Sequence, residues 1–193
     1  MSRESILKAV KKNQPSGRVL PEVPTLLRLS FEDKVSKFRE VFTGIGGRLI
    51  PLNEGEDLHD LIVQVYENPP VIISVSPRVG FEPLPTDATG QPHVLEQVDV
   101  AVIDAQFAVA ENGAIWVTED QYKVRALPFI CTHLAAIVSR QSLLDDMHQA
   151  YERIGMAEYG FGMFIAGPSK TADIEQSLVL GAHGPKSMTI FLV

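Results

Sequence analysis

Apolar positions follow two rhythms along this chain. One is the three-and-four spacing of a helix face, and the other is the short continuous run of a strand buried on both sides. Residues 3–13 take the first rhythm, with Ile6, Leu7 and Val10 on one side. Pro15, Gly17, Pro21 and Pro24 then break any regular element, so residues 14–26 read as a linker. Phe31, Val35, Phe38, Phe42 and Ile45 predict a second helix, opened by Ser30 with Asp33 as an approximate capping box and stopped by Gly46-Gly47. A strand at 48–52 follows. Leu58, Leu61, Ile62, Val65 and Tyr66 mark the next helix, closed by Asn68-Pro69-Pro70, and 71–75 (VIISV) reads as a buried strand.

Residues 76–97 form a long Pro-rich loop, a length that is uncommon inside a domain and often functional. The sheet resumes at 99–103. Runs at 107–110 and 114–118 flank Asn112-Gly113, a hairpin signal that places both turn residues at positive φ. Residues 133–138 and 161–166 read as strands, and 188–193 as the last one. Between the first two, Ser142 and Asp145 open a helix whose inward positions are Leu144, Met147, Tyr151 and Ile154, ended by Gly155. Early alternation of helix and buried strand, interrupted by a central hairpin, predicts an α/β fold: three layers around a mixed, mainly parallel sheet. We read residues 1–28 as a helical arm and linker, and 29–193 as the α/β domain. Such an arm packs on its own domain or on a neighbouring subunit, which leaves a homo-oligomer open.

The 193 residues suit one domain, and apolar content of 45% is ordinary for a globular protein. A net charge of −7 and the lack of a basic stripe argue against nucleic-acid binding. Cys131 stands alone, so the chain can form neither an internal disulfide nor an iron–sulfur cluster of its own. No 18-residue apolar run predicts a membrane span, and the charged residues from Arg3 to Lys12 do not read as a secretion signal, so the cytoplasm is expected. With no G-x-G-x-x-G and no Walker loop, no nucleotide cofactor of its own is predicted. Metal binding has no local ligand spacing to support it.

Residues 167–185 read GPSKTADIEQSLVLGAHGP. Gly167 follows an apolar strand directly, and open α/β sheets place ligand sites at carboxyl ends of strands. The expectation is a strand-to-helix turn in which Ser169 or Thr171 caps the helix and free amides with Lys170 attract an anion. Asp173 and Glu175 also complement the helix dipole, so structural capping and a ligand site both remain open.

The strings GPSKTADIE and GAHGP resemble the C-terminal signature of the LUD-domain family, the lactate-utilisation (LutC/YkgG-like) proteins of bacteria. A second block resembles the family too: AVAENGAIWV at 108–117, then Arg125, Leu127-Pro128 and His133. The family more often has threonine where this chain has Asn112 and Ala114, and a shorter gap from Pro128 to His133. The resemblance implies a fold similar to the ribose-phosphate isomerase, CoA-transferase and formyltetrahydrofolate cyclo-ligase group. It also implies one component of a three-protein system that oxidises L-lactate to pyruvate, in which a partner carries the iron–sulfur motifs.

Three readings follow. In the first, the chain is a non-redox component that binds a small carboxylate or phosphate or supports its iron–sulfur partner. His183, between glycines in Gly-Ala-His-Gly-Pro, then serves as acid or base, and Arg125 clamps the anion. In the second, Glu111-Asn112-Gly113 resembles the tripeptide of CoA transferases, and Glu111 is the nucleophile of an autonomous transferase or ligase. In the third, the signature is a protein–protein interface. The plain alternatives are a hairpin turn for Glu111, a surface ion pair for Arg125, a loop bond for His183 and a half-buried core histidine for His133. The first two readings require Glu111, Arg125, Asp173 and His183 to line one cleft, joined by Gly167, Ser169, Lys170 and Thr171.

Overall fold

The computed structural model describes residues 2–19, 21, 24, 28–171 and 179–193. In chain order the first half forms α1 (Arg3–Lys12), α2 (Lys34–Gly44), β1 (Arg48–Pro51), α3 (Leu58–Val65), β2 (Ile72–Ser74), β3 (Val100–Asp104), β4 (Phe107–Val109) and β5 (Ala114–Thr118). The second half forms α4 (Glu119–Tyr122), α5 (Leu127–Ile130), β6 (His133–Val138), β7 (Leu143–Leu144), α6 (Met147–Ile154), β8 (Gly162–Ile165), β9 (Lys170–Thr171), β10 (Val179–Leu180) and β11 (Ser187–Leu192).

The continuous apolar runs pair side by side. They build a five-stranded sheet in the order β1-β11-β6-β3-β2 whose every pairing is parallel. Alternation along each strand divides the side chains between two faces. Val100, Val102, Ala135, Ile137 and Phe191 pack with Ile62 of α3 on one face. Ala101, Ile103, Leu134, Ala136, Ile190 and Leu192 pack on the other with Phe38 and Phe42 of α2. Each fully buried branched side chain contributes about 1.5–3 kcal/mol, which is why strands apolar on both faces settle at the centre.

The central hairpin belongs to a second sheet, ordered β7-β4-β5-β8. Its inner face supplies Ala108, Ile115 and Val117 to the core shared with α2. Its outer face carries Phe107 and Trp116 against Ala150 of α6. The fold is therefore α/β with a mainly parallel central sheet, covered on one face by α3 and on the other by α2 and the second sheet.

Local details depart from the sequence reading at four places. Asp33, not Ser30, caps α2 by accepting from the Ser36 amide at 3.0 Å. At the hairpin only Gly113 has positive φ (72°), while Asn112 Oδ1 accepts from the Ala114 amide at 3.0 Å, so the turn is longer than a two-residue one. Asp146 caps α6; Leu144 lies in β7, and Tyr151 points outward with 64% of its surface exposed. Finally, Lys170–Thr171 do not begin a helix: they pair antiparallel with Val179–Leu180 as a two-stranded ribbon.

Helix α1 buries none of its residues, and Ile6, Leu7 and Val10 are about half exposed. The segment entering α2 is tied to the start of α6. The Leu29 amide donates to Asp146 at 3.0 Å and the Phe31 amide to Asp145 at 2.9 Å. Arg28 pairs with Glu152.

Candidate functional site

The carboxyl end of α2 brings the two recognisable blocks together. Helix α2 stops at Ile45, and Gly46 follows at φ +91°. Gly113 from the hairpin and Gly167 after β8 both press on Ile45. A Cβ on Gly113 would lie 3.1 Å from Ile45 Cδ1, and one on Gly167 would lie 3.2 Å from the Ile45 carbonyl oxygen. Both glycines also have positive φ, so their lack of a side chain is required twice over. Lys170 then passes Gly46 closely, with Cε and Nζ both 3.1 Å from where a Cβ would stand.

Beyond this junction lies a cleft of about 270 Å³, lined by Phe129, Ile165, Gly167, Ser169, Lys170 and His183 among others. A second hollow of about 350 Å³ shares Phe129 and His183 and adds Thr132, Gly181 and Lys186. Backbone bonds fix the walls. The Ser169 amide donates to the Pro185 carbonyl at 2.9 Å, the Gly181 amide to the Ser169 carbonyl at 3.1 Å, and the Lys186 amide to the Thr132 carbonyl at 2.8 Å. Lys170, His183 and Lys186 are all exposed here, which makes a basic rim on a protein of net charge −7. Small anions are drawn to such a concave basic surface.

The site sits elsewhere than expected. Gly167 does follow a strand's carboxyl end, but β8 belongs to the second sheet. The cleft walls formed by Pro128, Phe129 and Pro185 lead into β6 and β11, so it borders the amino ends of the parallel strands. Ser169 contributes its backbone to the ribbon. Thr171 is paired with Val179 and Lys170 with Leu180, so Ser169 does not cap a helix beginning at Lys170; a helix capped by Thr171 would lie outside the described residues. Asp173 and Glu175 lie outside the described residues.

Glu111 and Arg125 do not line this cleft. Glu111 is exposed, and its Oε2 accepts from the Met147 amide at 2.8 Å, where it complements the amino end of α6. The turn that would have aimed it as a nucleophile instead aims it at a helix terminus. Arg125 pairs with Glu119 and covers the Phe161 ring at 4.7 Å from its centroid. The hydrogen bond to Glu119 holds its guanidinium above the usual pKa.

A second polar pocket was not singled out from the sequence. Arg48, Tyr66, Glu67, His133, Ser187 and Thr189 enclose, with Val65, about 290 Å³ at the amino ends of β1, β11 and β6. His133 and Ser187 are register partners, and Nδ1 of the ring lies 2.8 Å from Oγ of the serine. The Tyr66 ring lies 5.5 Å from the imidazole, and its hydroxyl donates to the Leu134 carbonyl at 3.3 Å. Burial pushes the Tyr66 phenol up to about 12. Burial, followed by the charge of Lys186, lowers the His133 pKa. A signal was present: a histidine opening a strand otherwise made of Leu, Ala, Ile and Val. Its partners come from three other segments and leave no local motif.

Asp57, His59 and Asp60 are the one group of potential metal ligands found within 4.8 Å of one another among the described residues. They are accounted for locally, since Asp57 caps α3 through the Asp60 amide and His59 stacks on Phe81 at 4.4 Å. No helix among the described residues is long and apolar enough to cross a membrane.

A parallel α/β core, a second sheet laid on it and a basic cleft at their junction define the class. Comparison with known proteins makes it particular: residues 84–193, more than half of the chain, match the LUD domain, and the chain belongs to that family. Both sequence blocks fall inside the matched region. It is similar to the "Lactate utilization protein C" of Bacillus subtilis, with 28% identity over 90% of this chain and 83% of that one. It is also similar to the protein of that name from Geobacillus thermodenitrificans, 28% identical over 94% and 87% of the two chains. In the Oceanobacillus iheyensis relative the identity is 29%, and the alignment spans 52% of this chain and less than half, 46%, of the relative. A crystal structure of a DUF162 family protein from Deinococcus radiodurans superposes with a TM-score of 0.62. It covers 86% of this chain and 99% of that one at 16% identity, and so shares the fold.

Proposed function

We propose that this chain is a component of a bacterial system that oxidises L-lactate to pyruvate. It carries no redox centre of its own and works in the cytoplasm beside an iron–sulfur partner. Relatives named "Lactate utilization protein C" support a role in lactate utilisation. With Cys131 as its only cysteine, the chain needs a partner for any iron–sulfur chemistry.

The observation that carries the site is the basic cleft of Gly167, Ser169, Lys170 and His183, which lies beside the junction where Gly113 and Gly167 meet Ile45. In this reading the cleft takes a small carboxylate or phosphate. Lys170 supplies the charge, the walls supply shape, and His183 supplies ring nitrogens that can donate or accept a hydrogen bond. Glu111 is already engaged at α6, so the autonomous transferase reading gains no support from its position.

The test has two arms. Affinity purification of the tagged chain from its native host is expected to bring down a protein with an iron–sulfur absorption band that lactate bleaches. Titration of the isolated chain with L-lactate, pyruvate and inorganic phosphate, read at the His183 ring signals by NMR, is expected to show binding at the cleft that Lys170→Ala weakens about tenfold. Purification without any such partner overturns the component reading, and unchanged affinity in the variant overturns the cleft.

A further inference from the structure

The pocket at the amino ends of β1, β11 and β6 is separate from that cleft, and its chemistry is more selective. Its enclosed space of about 290 Å³ sits at the lower bound of ordinary ligand pockets, about 300 Å³, which suits an acid of a few carbons and not a nucleotide. Arg48 is exposed and makes no ion pair among the described residues, so its guanidinium fork is available to a carboxylate. His133 uses Nδ1 on Ser187 Oγ. That bond orients the ring and leaves Nε2 without a hydrogen-bond partner among the described residues. Thr189 is buried and lines the same pocket, offering a hydroxyl that can donate or accept.

Two features hold the pocket in shape. Tyr66, the residue that caps the carboxyl end of α3, is fixed by its bond to the Leu134 carbonyl. Glu67 and Asn68 follow at φ 57° and 58°, a left-handed pair that turns the chain sharply after Tyr66. Non-glycine residues in that region cost about 1 kcal/mol or more each and persist where the surroundings hold them. The one carboxylate in the lining, Glu67, is exposed at the mouth, and the charges acting on His133 are Lys186 and Arg48 against Asp99.

We infer that this pocket binds a small 2-hydroxy or 2-oxo carboxylate, with the carboxylate on Arg48 and the neighbouring oxygen facing His133 Nε2, Ser187 and Thr189. The choice of acid rests on the lactate reading proposed above. A plain carboxylate fills only the Arg48 end, and a second oxygen is needed to use the hydroxyls.

The experiment is an NMR titration of the histidine ring signals, with His133 assigned by loss of its resonance in His133→Gln. The probes are L-lactate, pyruvate, acetate and inorganic phosphate. L-lactate or pyruvate is expected to raise the His133 pKa by about 1 unit, since a nearby carboxylate favours imidazolium. Arg48→Gln is expected to weaken that response at least about tenfold, with an unchanged melting temperature showing that the fold is intact. Lys170→Ala is expected to leave it untouched. The inference is overturned if none of the probes moves His133, if acetate or phosphate acts as strongly as lactate, or if Arg48→Gln responds like the parent. It is separable from the proposed role: a chain that finds its iron–sulfur partner while His133 stays silent loses only this pocket, and a responsive His133 without a partner loses only the pathway.

Discussion

Lys34 Nζ lies 2.9 Å from Asp145 Oδ2, so the first residue of α2 is pinned to the segment that opens α6. Asp145 is buried and also accepts from the Phe31 amide and from Gln149 Nε2 at 3.1 Å. Its burial alone would raise the carboxyl pKa. The Phe31 amide, Lys34 and Gln149 outweigh burial and hold it below the usual value of 3.8. Asp145→Asn is expected to cost about 2 kcal/mol, because a buried, multiply bonded acceptor is weakened while Lys34 loses its partner. Lys34→Ala should cost under about 1 kcal/mol, its side chain being 40% exposed. The sign of the pH effect follows from the lowered folded pKa. Asp145 stabilises fully above its unfolded pKa, and this is lost as pH falls through the folded value. Melting curves of both variants from neutral pH into acid check the order.

Gly113 and Gly167 share Ile45 as their limiting neighbour. Gly113→Ala and Gly167→Ala are each expected to cost about 1–3 kcal/mol from positive φ and overpacking together. Because both push on one residue, the double variant should depart from additivity by more than about 0.5 kcal/mol. Additive denaturation energies would mean that the two blocks are not mechanically joined at Ile45.

Cys131 is 2% exposed, and burial pushes its thiol up to about 12. A thiol reagent at mildly alkaline pH is therefore expected to leave the native protein unmodified and to react fully in denaturant, since only the thiolate attacks. Rapid native modification would show that the connection between α5 and β6 opens more readily than the burial of Cys131 implies.

His133 predicts a slope in the neutral range. Burial is the main cause of its lowered pKa, and the charges facing it are Lys186, Asp99 and Arg48, with Tyr66 and Ser187 against the ring. The unfolded chain binds a proton near the usual 6.5 while the folded chain resists it, so stability is full above that value and falls as pH drops below it. His133→Gln should flatten that part of the stability curve. An unchanged slope would place the titration on another histidine.

Periodicity determined most of the elements without reference to tertiary contacts. Runs apolar on both faces can satisfy their side chains only inside a covered sheet, so β1, β2, β3, β6 and β11 were legible as strands. Phe38 and Phe42 likewise declared the buried face of α2. Gly167 and Gly113 announced turns, because positive φ at a tight approach leaves little choice of residue. What the chain could not state locally was which groups meet. Glu111 looked free until α6 brought the Met147 amide to it, and Arg125 looked available until Glu119 and Phe161 occupied it. Lys170 read as the start of a helix if Ser169 were its cap, yet pairing with β10 drew it and Thr171 into a ribbon, since strand hydrogen bonds depend on a distant partner and capping signals do not. The pocket around His133 is the fullest case. Arg48, Tyr66, His133 and Ser187 are far apart in the chain, and only the parallel order β1-β11-β6, with α3 laid beside it, sets them around one space.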